Sequence, residues 1–187
     1  MGRHKNLVNA ERAVLLVIDV QERFREHIDQ FAHVAAKIAV LVESAHILGL
    51  PVVVTQQYTS GLGPTVPEIA EKLAVKPVQM FEKMSFSASG AKGFDKHLEK
   101  LDRKQIIVCG IETHVCVNQS VHDLLKKGYV VHLVTDALGS RAAENKAAGL
   151  AKMYAAGALP STVEMCLFEM LVESGTENFK AVQKLVK

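Results

Sequence analysis

Three side chains stand out for the chemistry they can do together. Asp19 follows directly on the apolar run LLVI, Lys83 follows the weaker run Val78–Phe81, and Cys116 lies just past IIVCG. A cysteine attacks as its thiolate, and a helix start with a cation nearby lowers the cost of forming that anion. Lys83 is such a cation. A carboxylate can take the thiol proton and later return it to a leaving group, a role for Asp19. Backbone amides of a turn before a helix can hold an oxyanion. Each residue alone has a plainer explanation, since a strand-end Asp caps turns, a lone Lys is solvated and a lone Cys fills core. Cys109 and Cys166 take that last reading, inside apolar strands. His114 is a rival base for Cys116, but residues two apart do not face each other on a helix.

Elements that end in the same place must position these groups. Ala13–Ile18, Pro51–Val54, Ile106–Cys109 and Tyr129–Val134 are short apolar runs rich in β-branched residues, as in a parallel sheet buried on both faces. Val78–Phe81 is a weaker strand candidate and Val163–Leu167 a possible edge strand. Helical spacing covers His33–Leu48, Cys116–Lys127 and Arg141–Ala156, the last with Ser140 as its N-cap, and a shorter candidate spans Ala91–Leu101. Gly61–Pro67 (GLGPTVP) is a turn-rich insertion that shapes a wall of the site. Alternating strands and helices mean α/β, and the right-handed crossover rule favours a doubly wound sheet. In such sheets ligands sit at the carboxyl ends of the strands, where Asp19, Lys83 and Cys116 all fall.

The chain of 187 residues is read as one domain, with 1–12 a polar N-terminal extension. With 22 Lys and Arg against 20 Asp and Glu, no charge excess points to nucleic acid. Three cysteines without a Cys-x-x-Cys pattern argue against a disulfide framework or zinc ribbon. The apolar runs are strand-sized and the first twelve residues lack a signal-peptide core, so no membrane association and a reducing cytoplasm are expected.

The local sequences go further. AVLLVIDVQERF (Ala13–Phe24), FEKMSFS (Phe81–Ser87) and IIVCGIETHVCV (Ile106–Val117) resemble the three signature segments of the isochorismatase-like cysteine hydrolases, in the family's order. The resemblance implies a three-layer α/β/α sandwich with a mainly parallel, doubly wound, Rossmann-like sheet. It places Asp19, Lys83 and Cys116 on the family's catalytic triad. It also implies a non-proline cis peptide at Ile111–Glu112, turning the amides of Glu112 and Cys116 toward an oxyanion site. Gln21, Phe24 and Tyr58 are implied as substrate-binding residues, with core aromatic an equal reading for Phe24.

Nicotinamidases of this superfamily hold a metal with an Asp-x-His pair after the second strand. The matching stretch here, Val54–Tyr58 (VTQQY), has neither residue, so no metal and no cofactor are expected. QQYTSGLGPTVPEI and FEKMSFS resemble the isochorismatase domain-containing proteins most. The implied activity is metal-independent hydrolysis of a small amide or related C–N compound through an acyl-enzyme. A scaffold with little turnover and a redox sensor acting through Cys116 are the competing readings. Homo-oligomerisation, as a dimer or larger, rests on the resemblance, on the small residues of Ala142–Ala158 and on the apolar Leu159–Leu171 segment.

Overall fold

A computed structural model describes residues 3–187. Six segments become strands: β1 (Ala13–Ile18), β2 (Val52–Gln57), β3 (Gln79–Lys83), β4 (Gln105–Ile111), β5 (Val130–Gly139) and β6 (Leu159–Ser161). They form one parallel sheet in the order β3-β2-β1-β4-β5-β6. The order in which strands are added reverses between β1 and β4, the point where α/β folds open a ligand crevice.

Period-two alternation explains why the central runs are apolar throughout. Ala13, Leu15 and Val17 of β1 face one helical layer, while Val14, Leu16 and Ile18 face the other. The first layer holds α1 (Phe31–Leu48), α3 (Pro67–Leu73), α7 (Val163–Leu171) and α8 (Glu177–Val186); the second holds α4 (Phe94–Leu101), α5 (Asn118–Lys126) and α6 (Ala143–Ala155). A single turn, α2 (Thr59–Leu62), sits beyond β2. The three-layer α/β/α sandwich read from sequence is thus the observed fold.

Several expectations need correction. Val163–Leu167 is helix α7, not an edge strand; the edge strand is β6, just before it. Cys166 therefore lies in a helix, fully buried beside Ser161. The turn-rich Gly61–Pro67 gives way at Pro67 to α3, because a proline suits the first helical position. Ser140 does not cap α6: the N-cap is Ala142, and the Ser140 hydroxyl meets His114 Nδ1 at 3.1 Å. One apolar segment is not strand-sized, for α1 has the length and composition of a membrane span. Its Val34, Ile38, Leu41 and Val42 are instead buried against the sheet.

Residues 1 and 2 of the expected extension 1–12 lie outside the described residues. The rest is strapped down. Val8 is fully buried, its N–H donates to Glu169 Oε2 at 2.7 Å, and the Gln105 amide bonds Leu7 and Asn9.

Candidate active site

Strand register brings the acid and the cation together. Ile18 pairs with Thr55, and Gln57 pairs with Lys83, so the carboxyl ends of β1, β2 and β3 lie side by side. Asp19 leaves β1 with φ 54°, a left-handed conformation that non-glycine residues hold only when their surroundings enforce it. Its N–H donates to the Thr55 carbonyl at 3.1 Å. This bend carries its carboxylate over the sheet end, where it is 1% exposed.

The Asp19 carboxylate is held at both oxygens. Oδ1 accepts the Thr55 hydroxyl at 2.7 Å, and Oδ2 accepts Lys83 Nζ at 2.6 Å. Lys83 also donates to Gln57 Oε1 at 2.8 Å and to the Ser85 carbonyl at 3.2 Å. Neither member of the ion pair is more than 1% exposed in its side chain. A buried pair of this kind needs such hydrogen bonds to offset the desolvation of two charges.

The nucleophile arrives from β4. Gly110, with φ 123°, lies where any Cβ would run into the backbone of Ile18, so only glycine lets β4 approach β1 this closely. The Ile111–Glu112 peptide is cis, as the resemblance implied. Thr113–Val117 then forms a π-helical turn carrying Cys116, and α5 begins only at Asn118, two residues later than the sequence indicated. π-turns of this kind recur at functional sites.

Side chains around that turn fix it in place. Thr113 donates to the Gly139 carbonyl at 2.9 Å, and Glu112 Oε2 accepts both the N–H and Nε of Arg141 at 3.0 Å. Ser120 donates to the Cys116 carbonyl at 2.7 Å and accepts the Ala88 N–H at 2.8 Å. Ser87 donates to Asp123 at 2.5 Å. The end of the FEKMSFS segment is thus stapled to α5, the helix that continues from the turn bearing the nucleophile, which couples the placement of Lys83 to that of Cys116.

Electrostatics at Cys116 combine the expected help from Lys83 with a larger opposing effect of burial. Burial pushes the thiol up, the Asp19 charge adds to this, and Lys83 opposes it, leaving it raised to about 12. The resting group is therefore a thiol with a carboxylate and an ammonium beside it. Cys109 and Cys166 are also pushed up by burial, yet neither has Asp19 or Lys83 as a neighbour, and both are fully buried.

The three implied substrate contacts lie as follows. Gln21 is fully buried, and its Nε2 donates to the carbonyls of Gln57 at 2.9 Å and Gly63 at 2.7 Å. Its amide is engaged in holding β2 and the following loop, not turned to a ligand. Phe24 is half-buried against the α1-side core. Tyr58 is 47% exposed, and its ring covers Gly61, where any side chain would collide with it. His114, the rival base, is bonded to Ser140. Thr55, Gln57 and Ser120 escaped the sequence reading. The available signal was in VTQQY: polar residues two apart at the end of an apolar strand lie on one face, and here that face is the site.

Comparison with known proteins shows the family and agrees with the fold. A family model described as "Isochorismatase domain" matches residues 13–165. A protein called "Secreted isochorismatase effector Isc1" from Phytophthora sojae is 42% identical over 178 residues, covering 94% of this chain and 84% of its own. "Isochorismatase domain-containing protein 2" of Danio rerio is 36% identical over 180 residues, covering 96% of this chain and 89% of its own. Among solved structures, "MAR1 Ribonuclease from Caenorhabditis elegans" superposes with a TM-score of 0.91 at 36% identity, covering 96% of this chain and 91% of that one.

Proposed function

Because the chain belongs to the isochorismatase family, we propose that it is a metal-independent cysteine hydrolase acting on a small amide or related C–N compound. The observation that carries the reading is the buried Asp19–Lys83 pair at 2.6 Å, beside the Cys116 thiol at the sheet's switch point.

Asp19 takes the Cys116 proton as sulfur attacks the carbonyl carbon, so that thiolate forms only as it is used. The C–S bond forms and the carbonyl electrons move to oxygen, which the amides of Glu112 and Cys116 stabilise. Collapse expels the amine, which leaves with the proton from Asp19. A water then attacks the thioester, Asp19 takes its proton, and the C–S bond breaks. The acid departs and the proton returns to sulfur. Lys83 stays charged throughout and lowers the energy of each anionic form of the pair.

The end of β2 supports the metal-free part of the reading: Val54–Tyr58, the stretch matching the nicotinamidase Asp-x-His segment, has no Asp and no His, and its Thr55 and Gln57 are bonded to Asp19 and Lys83. Three unpaired cysteines suit a reducing, cytoplasmic setting. The test is ammonia release over a panel of small amides, with native protein and Cys116→Ala, each with and without EDTA. Release by native protein alone, unaffected by EDTA, is expected. Equal release by Cys116→Ala, or loss in EDTA with rescue by zinc, contradicts the proposal.

A further inference from the structure

We infer that Gln57 is a positioning residue, whose side-chain carbonyl holds the Lys83 ammonium against Asp19 and beside the Cys116 thiol. The inference rests on the reading of those three as the reacting set.

An ammonium has three N–H donors and no acceptor. In Lys83 all three have partners: Asp19 Oδ2 at 2.6 Å, Gln57 Oε1 at 2.8 Å and the Ser85 carbonyl at 3.2 Å. With every proton bonded inside the protein, Lys83 acts on the reaction through its field and not by grasping the substrate. Two of the partners are fixed by other duties, because Asp19 is a reacting group and the Ser85 carbonyl is backbone two residues along the same chain. Gln57 is the one partner whose side chain has no duty besides this tether and one bond to the loop.

The amide of Gln57 has its orientation set by its surroundings. Nε2 donates to the Met84 carbonyl at 2.9 Å, which leaves Oε1 for the lysine. Its backbone is pinned from the other side. The Gln57 N–H donates to Gln21 Oε1 at 2.8 Å, and the Gln57 carbonyl accepts Gln21 Nε2 at 2.9 Å. Gln21 thus adds a rung to the end of β2 as a further strand would, and it is itself fully buried. The chain of support runs from Gln21 through Gln57 to Lys83 and Asp19. Thr55, two residues earlier on the same face of β2, does for the carboxylate what Gln57 does for the cation. Because Lys83 favours the Cys116 thiolate, a lysine that loses its tether leaves the thiol harder to ionise.

The test reads the thiol directly and needs no substrate. Alkylation of Cys116 by iodoacetamide is followed by peptide mass spectrometry from pH 6 to pH 10 in native protein, Gln57→Met, Lys83→Met and the double variant. Gln57→Met keeps the length and removes the acceptor. It is expected to slow labelling at pH 8 about tenfold, as loss of a hydrogen bond to a charged group implies, and to move the pH–rate profile upward. In the Lys83→Met background the same change is expected to have no effect, since Gln57 acts through the lysine. Gln57→Asn, which keeps the amide but withdraws it by one methylene, carries the same expectation if Gln57→Met does not fold. Native-rate labelling of the Gln57 variants beside slowed Lys83→Met overturns the inference and leaves the triad standing. An equal slowing by Gln57→Met with and without Lys83 also overturns it. Native-rate labelling of Lys83→Met overturns the triad reading itself.

Discussion

Replacing Lys83 by Met is the sharpest stability test of the buried pair. Met matches the length of the lysine stem and carries no charge. The substitution leaves the Asp19 carboxylate 1% exposed with the Thr55 hydroxyl as its remaining side-chain donor. Breaking a buried ion pair on one side costs about 3–5 kcal/mol, because the surviving charge stays desolvated. For a chain of 187 residues each kcal/mol lowers Tm by about 2–4 °C, so the expected fall is about 6–20 °C. Removing both charges, as in Asp19→Asn with Lys83→Met, restores most of that loss, since an uncharged pair of similar volume has no desolvation to offset. Calorimetry at neutral pH on the native protein and these two variants decides it. A single variant within about 1 kcal/mol of native, the range of solvated surface pairs, contradicts a buried, desolvated pair, as does a double variant no more stable than the single.

Stability should peak between about pH 6.5 and pH 9. The Cys116 thiol is raised from 9.0 to about 12, so the folded state holds its proton longer and loses stability as pH climbs from 9 toward 12, by about 1.4 kcal/mol per pH unit for each such group. Burial lowers His132 from 6.5, so the unfolded chain protonates first and stability falls as pH drops below that value; a flat Tm across both windows contradicts this. Limiting iodoacetamide should label Cys116 ahead of Cys109 and Cys166, which have no access to solvent; peptide mapping that finds either of those two first counts against the site. We expect a homo-oligomer, since Met80, Met84 and Phe86 in and after β3, Met165 and Phe168 on α7, and Val172 just past it are exposed apolar groups. Sedimentation velocity at micromolar concentration should show a species above 20.4 kDa, and a single species at that mass overturns the expectation.

The sheet was legible because its central strands are buried on both faces, so LLVI and IIVC carry no polar interruption. Helix α1 was legible for its length and its glycine stop. Other elements were hidden by short or ambiguous patterns. VEMCL is apolar apart from Glu164 over a span that fits a strand or one and a half helical turns, and local periodicity does not separate the two. α3 was masked by the glycines and prolines before it, although Pro67 is itself a helix-start signal. α8 presents one buried side chain, Val182, in a polar sequence. At the site, Asp19, Lys83 and Cys116 were legible as types at strand ends. What escaped was support: the Thr55 and Gln57 bonds depend on the register of β2 with its neighbours, which no single segment encodes. Burial of the thiol was equally invisible, and it outweighs the help that Lys83 gives to the thiolate.

In the proposed reaction Cys116 carries the acyl group. Once the amide panel yields a substrate, rapid acid quench during turnover followed by intact-mass and peptide mass spectrometry reads this directly. The expected result is a mass increase equal to the substrate's acyl group, located on the peptide containing Cys116 and absent in Cys116→Ala. Turnover with unmodified Cys116 at every quench time, or the acyl group on another residue, would contradict it.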